Sequence, residues 1–262
     1  MRRSEVWKSG ESYEGYVGRW SRLVAREFLR WLDVPQGSRW LDVGCGTGAL
    51  SETIVDEASP ALVVGVDPSE GFILHARKAV AGAEFRVADA QQLPFQDGRF
   101  DATVSGLVLN FVPEPKQAAA EEARVTRSGG VVGAYVWDYG EGMELMRYFW
   151  DAAAAVEAGT IELDEGRRFP ICCPEALKEL FEAAGLDRVE TRPIDVETRF
   201  RDLKDYWSPF LGGQGPAPAY LVSLTEERRE AVRQRLDQTL PRRADGSIVL
   251  TARAWAVRGR KS

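Results

Sequence analysis

Short apolar runs alternate with amphipathic segments over the first half of the chain. The predicted strands cover residues 39–43, 61–66, 83–87, 100–105 and 131–137. Apolar positions at helical spacing predict helices over 12–32, 49–57, 70–81 and 116–124. The strands are continuous apolar runs, as in a parallel sheet covered by helices on both faces. We therefore predict a doubly wound α/β fold that binds its ligand at the carboxyl ends of the strands.

The second half has a different pattern. Residues 138–170 are helical and irregular, and a helix over 174–184 ends at Gly185. Strand patterns return at 188–198 and 247–257. The alternation of the last strand predicts an antiparallel position at the edge of the sheet. Between these strands lies an insertion, whose aromatic residues predict either a hydrophobic lid over a substrate or a small satellite core.

Composition narrows the choice of partner. The 262 residues carry a net charge of −6, with arginines scattered among acidic residues, which argues against a nucleic-acid partner. No apolar run is long enough to span a membrane or to form a secretory signal. The odd cysteine count, with Cys172 and Cys173 adjacent, argues against a disulfide framework and favours the reducing cytoplasm. With His75 as the single histidine, we expect no metal site.

The most specific motif is the glycine-rich segment 41–48, which reads LDVGCGTG between a predicted strand and a predicted helix. Glycines at 44, 46 and 48 allow positive φ and a close approach of bare backbone to a ligand. The spacing GxGxG differs from the GxGxxG of dinucleotide-binding loops. Asp42 precedes the first glycine by two positions, where it could hold a substrate ammonium rather than a pyrophosphate.

This segment resembles the first motif of the class I S-adenosylmethionine (SAM)-dependent methyltransferases. Further segments, DPS at 67–69, ADAQQLPF at 88–95, FDATVSGLVLNFVPEP at 100–115 and ARVTRSGG at 123–130, match the same family in order and spacing. Together they cover residues 38–137, and they look most like the small-molecule branch that includes ubiquinone and menaquinone biosynthesis. The resemblance implies a Rossmann-like, seven-stranded, mostly parallel sheet with an antiparallel last strand and helical lid insertions. It also implies SAM as the cofactor.

The resemblance assigns roles residue by residue. Asp67 would accept hydrogen bonds from both ribose hydroxyls; the alternative is that it caps the following helix, a task that Ser69 could also perform. Asp89 would accept a hydrogen bond from the adenine amine, and the Ala90 amide would face a ring nitrogen. The alternative for Asp89 is an ordinary loop cap. The implied cofactor contacts, besides Asp42, are Gly44, Cys45, Gly46, Gly48, Asp67, Pro68, Asp89, Ala90, Gln91, Ser105, Leu107 and Asn110.

The roles of two segments are less well defined by the resemblance. Many relatives carry a histidine pair where this chain has Asn110 and Phe111, so a possible base is missing. Near the N-terminus, Tyr16 and Trp20 could cover the cofactor while Arg19 pairs with its carboxylate; the alternative is an amphipathic helix whose aromatics belong to the core. Catalytic residues stay unassigned, and Asp138, Tyr139 and Glu141 are candidates for a base by position only.

We accordingly predict three parts: an N-terminal helical lid at 1–37, a SAM-binding domain at 38–200 and 244–262, and a helical insertion at 201–243. The leading hypothesis is transfer of a methyl group from SAM to a small organic acceptor, because the donor is already activated and needs chiefly alignment. The alternatives are methylation of protein or RNA, a nicotinamide-dependent reductase or epimerase, and a non-catalytic SAM-binding regulator. The acceptor and the oligomeric state do not follow from the sequence.

Overall fold

A computed structural model describes residues 19–157, 159–212 and 215–262. Its seven strands form one sheet in the order β3-β2-β1-β4-β5-β7-β6. The strands are β1 Arg39–Val43, β2 Leu62–Asp67, β3 Glu84–Val87, β4 Phe100–Gly106, β5 Thr126–Trp137, β6 Leu186–Phe200 and β7 Ile248–Lys261. The doubly wound, mostly parallel α/β fold with an antiparallel last strand is therefore confirmed.

The helices predicted over 49–57, 70–81, 116–124 and 174–184 are present to within two residues, and the described part of the helix predicted over 12–32 begins at Arg19. The other helices lie in the regions 138–170 and 201–243. In chain order, the helices are α1 Arg19–Leu32, α2 Ala49–Glu57, α3 Glu70–Ala79, α4 Pro115–Val125, α5 Glu144–Val156, α6 Glu165–Arg168, α7 Pro174–Ala183, α8 Leu203–Trp207, α9 Pro216–Ser223 and α10 Glu226–Thr239. No helix in these described ranges is both long and apolar enough to cross a membrane.

Strand β1 lies in the middle of the parallel part of the sheet. It pairs with β2 on one side and β4 on the other, with Asp42 opposite Gly65 and Val104. Because the three strands are parallel, their carboxyl ends meet at one edge of the sheet. The glycine loop after β1, Asp67 at the end of β2 and Ser105 near the end of β4 therefore lie along that edge.

Two expectations about strands need correction. The edge strand beyond β5 is β6, and β7 lies between β5 and β6. The alternation of apolar and polar residues in β7 indicates which face of the sheet is covered, but it does not indicate whether one or two strands pair with β7. In addition, β5 already begins at Thr126 rather than at residue 131, and Gly129 and Gly130 belong to an irregularity near the start of the strand.

The chain divides into two compact units. The first unit comprises Ser21–Val136, Ile171–Ile194 and Trp255–Ser262, and the second comprises Trp137–Pro170 and Asp195–Ala254 together with Trp20. A continuous apolar cluster between β1, β2, β4 and α4 fills part of the first unit. The predicted three-part division stays a prediction.

Aromatic residues form the core of the second unit. Phe149 and Phe210 stack with ring centroids 4.4 Å apart. The buried Tyr206 donates its hydroxyl hydrogen to the carbonyl of Leu145 at 2.7 Å. Tyr206 and Phe210, from the aromatic segment of the insertion, therefore match the satellite-core interpretation.

Candidate functional site

The glycine loop has the backbone that its sequence predicts. Gly44, Gly46 and Gly48 have φ of 72°, 53° and 96°. A Cβ on Gly44 would lie 2.5 Å from both methyl carbons of Val108, so no side chain fits there. A Cβ on Gly46 would meet nothing within 4 Å, which leaves open space beside bare backbone. The loop is tightly packed on one side and open to a ligand at its middle glycine.

Asp42 is a buried carboxylate beneath this loop. Its Oδ2 accepts a hydrogen bond from the Ser51 hydroxyl at 2.7 Å, and its Oδ1 has no partner within the described ranges. Burial, together with the negative charge of Asp67, raises the pKa of Asp42 to about 7 although the Ser51 bond opposes the rise. An unpartnered buried acceptor of this kind is complementary to a donor or a cation on a ligand.

Asp67 organises the loop from the end of β2. Its Oδ2 accepts from the Gly46 amide at 3.1 Å, and its Oδ1 accepts from the Ser69 amide at 2.8 Å. Burial raises the pKa of Asp67 against the effect of these bonds. The N-cap of α3 is Ser69, whose hydroxyl accepts from the Phe72 amide at 3.3 Å. Asp67 is thus not the cap of α3.

The side chain of Asp89 forms its hydrogen bonds within its own loop. Asp89 is exposed, and its Oδ1 accepts from the Gln91 amide at 2.9 Å, which is the contact of a loop cap. The side chain of Gln91 also donates to Asp89, and its Oε1 accepts from the Glu114 amide at 3.1 Å. Ala90 is buried and Pro68 is exposed. The adenine role of Asp89 and Ala90 stays a prediction.

The backbone after β4 is strained. Leu107 has a φ of 62°, a left-handed conformation that a branched side chain rarely adopts, and its amide donates to the Tyr135 carbonyl at 2.8 Å. The Nδ2 of Asn110 is buried and has no partner among the described residues. Strained backbone and buried polar groups without a partner are both common at ligand sites. The conformation of Leu107 and the side-chain amide of Asn110 therefore fit the predicted role of this segment.

Cys45 lies in the loop as a small buried filler. Burial and the nearby charges of Asp42 and Asp67 raise the pKa of its thiol far above the ordinary value. A thiol in this state is a poor nucleophile because the thiolate is the reactive form.

Sequence analysis missed Glu122 on α4. Its side chain is fully buried, and burial raises its pKa to about 8 although the nearby Ser105 hydroxyl opposes the rise. The helical spacing could have indicated the burial of Glu122, since this residue falls on the helix face that also buries Ala118, Ala119 and Val125. Ser51, the partner of Asp42, carried no signal because no motif marked it.

The predicted N-terminal contacts are only partly described. Tyr16 and the side chain of Arg19 lie outside the described residues. Trp20 is buried and packs edge-to-face on Phe200, with ring centroids 5.4 Å apart, within the second unit. This contact matches the core interpretation of Trp20, and its role toward a cofactor stays a prediction.

The positional candidates for a base also lie in the second unit. Asp138 is buried, and its Oδ1 accepts from the Glu141 amide at 3.0 Å. Tyr139 is buried against the ring of Phe169, with centroids 5.7 Å apart. Their contacts are structural, and nothing in them assigns a proton-transfer role.

Comparison with known proteins agrees with this geometry. Residues 41–133 match the methyltransferase domain family. The chain is 39% identical over 116 residues to the demethylmenaquinone methyltransferase of Renibacterium salmoninarum, covering 44% of this chain and 46% of that protein. It is 30% identical over 161 residues to the malonyl-[acyl-carrier protein] O-methyltransferase of Geobacter sulfurreducens, covering 60% of each. The chain spans between 33% and 46% of the length of the first curated relatives that it matches.

A solved structure with the same fold is phosphoethanolamine N-methyltransferase 2 of Haemonchus contortus in complex with phosphomonomethylethanolamine and S-adenosylhomocysteine. Its TM-score is 0.56 at 16% identity, over 91% of this chain and 52% of that one. The family resemblance predicted from the motifs is confirmed for residues 41–133, and the methyltransferase fold is confirmed for the sheet.

Proposed function

We propose that this chain, which carries a class I methyltransferase domain, transfers a methyl group from SAM to a small organic acceptor. The observation that carries the proposal is the arrangement at the edge of the sheet. There the Gly46 backbone faces open space, Asp67 holds that backbone in place, and the Oδ1 of Asp42 is buried with no partner among the residues that the structure describes. These features fit a cationic nucleoside derivative better than a pyrophosphate.

The residues of the first unit divide the work of binding. SAM supplies a sulfonium-activated methyl group when it is bound. Asp67 would hold the ribose hydroxyls, and the residues at 44–48 would lie along the methionine part. Asp42 would balance positive charge, with Ser51 fixing the orientation of its carboxylate. Asp89 and Ala90 would face the adenine. Direct displacement needs alignment and exclusion of water more than proton transfer, which suits a site where no base has been assigned.

The relatives suggest the class of acceptor. By their names, one acts on demethylmenaquinone and one on malonyl-[acyl-carrier protein], and the structural neighbour binds phosphomonomethylethanolamine. Two of these three acceptors are small organic molecules. The acidic balance of the chain also disfavours a nucleic-acid acceptor. We infer cytoplasmic action on a small metabolite.

Isothermal titration with SAM tests the cofactor. Wild type should bind, and Asp67→Asn should bind about tenfold to a hundredfold more weakly, because a charged acceptor for two hydroxyls is lost. The matched control is Asp56→Asn, which changes an exposed carboxylate on α2 and should keep the wild-type affinity. No binding of SAM by wild type at millimolar concentration would refute the proposal. Unchanged affinity in Asp67→Asn would refute the ribose assignment alone.

Isotope-labelled SAM incubated with fractionated small metabolites tests the transfer step. Label should move to a small molecule in the presence of wild type and not in the presence of heat-inactivated protein. Label found only in protein or RNA would contradict the small-molecule assignment, and no transfer to any fraction would favour a non-catalytic SAM-binding protein.

A further inference from the structure

The second unit contains a cavity that the proposed cofactor site does not use. Its volume is about 340 Å³, which is the size of a small organic ligand. One wall is a single face of α5, where Arg147, Trp150, Asp151 and Ala154 follow helical spacing. The other wall is the chain between Thr160 and Arg167. The cavity is therefore built within one stretch of the second unit.

Two polar contacts hold these walls together. Arg147 pairs with Asp164 through both terminal nitrogens, one of them at 2.7 Å from Oδ2. The indole nitrogen of Trp150 donates to Oε2 of the buried Glu165. Bidentate pairing uses both oxygens of Asp164, so this pair adds little net charge to the cavity. The walls are thus fixed before any ligand arrives.

The chain around Gly166 packs closely on the segment that contains Tyr139 and Gly140. A Cβ on Gly166 would lie 2.8 Å from the carbonyl oxygen of Tyr139, so only glycine allows this approach. The Oε1 of Glu165 is buried without a hydrogen-bond partner in the described part of the chain. Burial raises the pKa of Glu165 to about 7. The residues that line the cavity do not include Glu165, whose contribution is to hold Trp150 in place through the bond from the indole nitrogen.

Apart from the paired Arg147 and Asp164, the cavity is lined by one negative and one positive side chain. Asp151 and Arg167 both line the cavity and are exposed. Neither side chain makes an ion pair or a hydrogen bond with another described residue. A guanidinium binds a carboxylate through two parallel hydrogen bonds, and a carboxylate accepts from an ammonium. The cavity consequently offers complementary charge to a molecule that carries both groups.

We propose that this cavity binds a small zwitterionic organic molecule, an amino acid or a close relative of one. Arg167 receives its carboxylate and Asp151 its ammonium, while the Trp150 and Ala154 side of the cavity takes its apolar part. The inference goes beyond the proposed function, because it does not depend on the identity of the cofactor.

The test measures binding by the whole chain in the absence of SAM. The twenty proteinogenic amino acids are screened singly at about 10 mM by thermal shift, and any that stabilises the protein is titrated calorimetrically. Its decarboxylated amine and its deaminated acid are titrated in parallel. At least one amino acid should bind, and each relative with a single charge should bind about tenfold more weakly, as expected for loss of one charge-assisted contact.

Variants locate the site. Arg167→Met and Asp151→Asn should each weaken binding of the same amino acid about tenfold or more. Arg235→Met and Asp56→Asn, which change exposed residues elsewhere, should not weaken it. Since Arg167 and Asp151 are exposed, both variants should retain the wild-type circular dichroism spectrum.

The proposal is overturned if no amino acid binds, if the singly charged relatives bind as tightly as the zwitterion, or if the control variants lose binding to the same extent. A protein that binds SAM but no amino acid overturns only this inference. A protein that binds an amino acid but not SAM overturns only the proposed function.

Discussion

The buried carboxyl group of Glu122 should make the stability of the protein fall as pH rises. Burial raises its pKa from 4.5 to about 8. A carboxyl group whose folded-state pKa is raised stabilises the protein most below its unfolded-state pKa. That contribution is lost between about 4.5 and about 8, because the unfolded chain releases the proton first. Glu122→Gln keeps the side chain neutral at every pH and removes this contribution.

The magnitude follows from the two pKa values. At 1.36 kcal/mol per pKa unit, the interval from 4.5 to about 8 corresponds to about 5 kcal/mol in total. Most of this, about 3–4 kcal/mol, falls between roughly pH 5 and pH 8. Asp42 and Asp67 also have raised pKa values and lose stability in the same direction. Their own burial is common to wild type and Glu122→Gln and cancels in the comparison. The negative charge of Asp42 also adds to the rise in the pKa of Glu122 and is therefore part of the difference between the two proteins.

Urea unfolding followed by circular dichroism at several pH values measures the effect. Between roughly pH 5 and pH 8 the free energy of unfolding of wild type should fall about 3–4 kcal/mol further than that of Glu122→Gln. Any constant cost of burying an amide drops out, since only the pH dependence is compared. Glu227→Gln, an exposed position on α10, is the control and should follow the wild-type curve. Parallel curves for wild type and Glu122→Gln would refute the reasoning.

Three further substitutions test the packing. Gly44→Ala should destabilise the protein by about 2–3 kcal/mol and abolish SAM binding, because its Cβ would lie 2.5 Å from two carbons of Val108. A soluble Gly44→Ala variant with the wild-type melting temperature would contradict the backbone conformation assigned to Gly44. Tyr206→Phe removes the hydroxyl that donates to the Leu145 carbonyl at 2.7 Å. It should lower the free energy of unfolding in chemical denaturation by about 1–3 kcal/mol. An unchanged free energy of unfolding would mean that water replaces the bond. Phe210→Ala empties a fully buried ring position and should cost about 3–5 kcal/mol; a cost below about 1 kcal/mol would exclude it from the core.

Much of the fold was readable because it rests on local patterns. Continuous apolar runs predicted β1, β2 and β4, and the glycine motif predicted where the first strand ends. The order of the last two strands was not readable, because both sequences alternate and alternation reports only the covered face. Long-range pairing of β7 between β5 and β6 is decided by tertiary packing, which no single segment records.

The site followed the same rule. Asp42, Asp67 and Asp89 were found through motifs, and their local contacts then separated capping from other roles. Ser69 caps α3, whereas Asp89 does accept from the Gln91 amide. The cavity of the second unit was invisible, because its walls are joined by contacts such as Arg147 with Asp164 between residues 17 apart in sequence. Only a folded chain brings such a pair together.

The placement of β6 at the sheet edge has a consequence for the behaviour of the protein in solution. A 15-residue edge strand exposes a long row of backbone N–H and C=O groups, to which the strand of another chain could add. Its outward positions carry charges of both signs and one residue without an N–H: Asp187, Arg188, Glu190, Arg192, Pro193, Asp195, Glu197 and Arg199. Addition of a foreign strand would place these charges beside the side chains of that strand, and the proline would interrupt the ladder of hydrogen bonds. The edge is thus guarded against aggregation by its own side chains, and an apolar residue placed at one of these positions would weaken that protection.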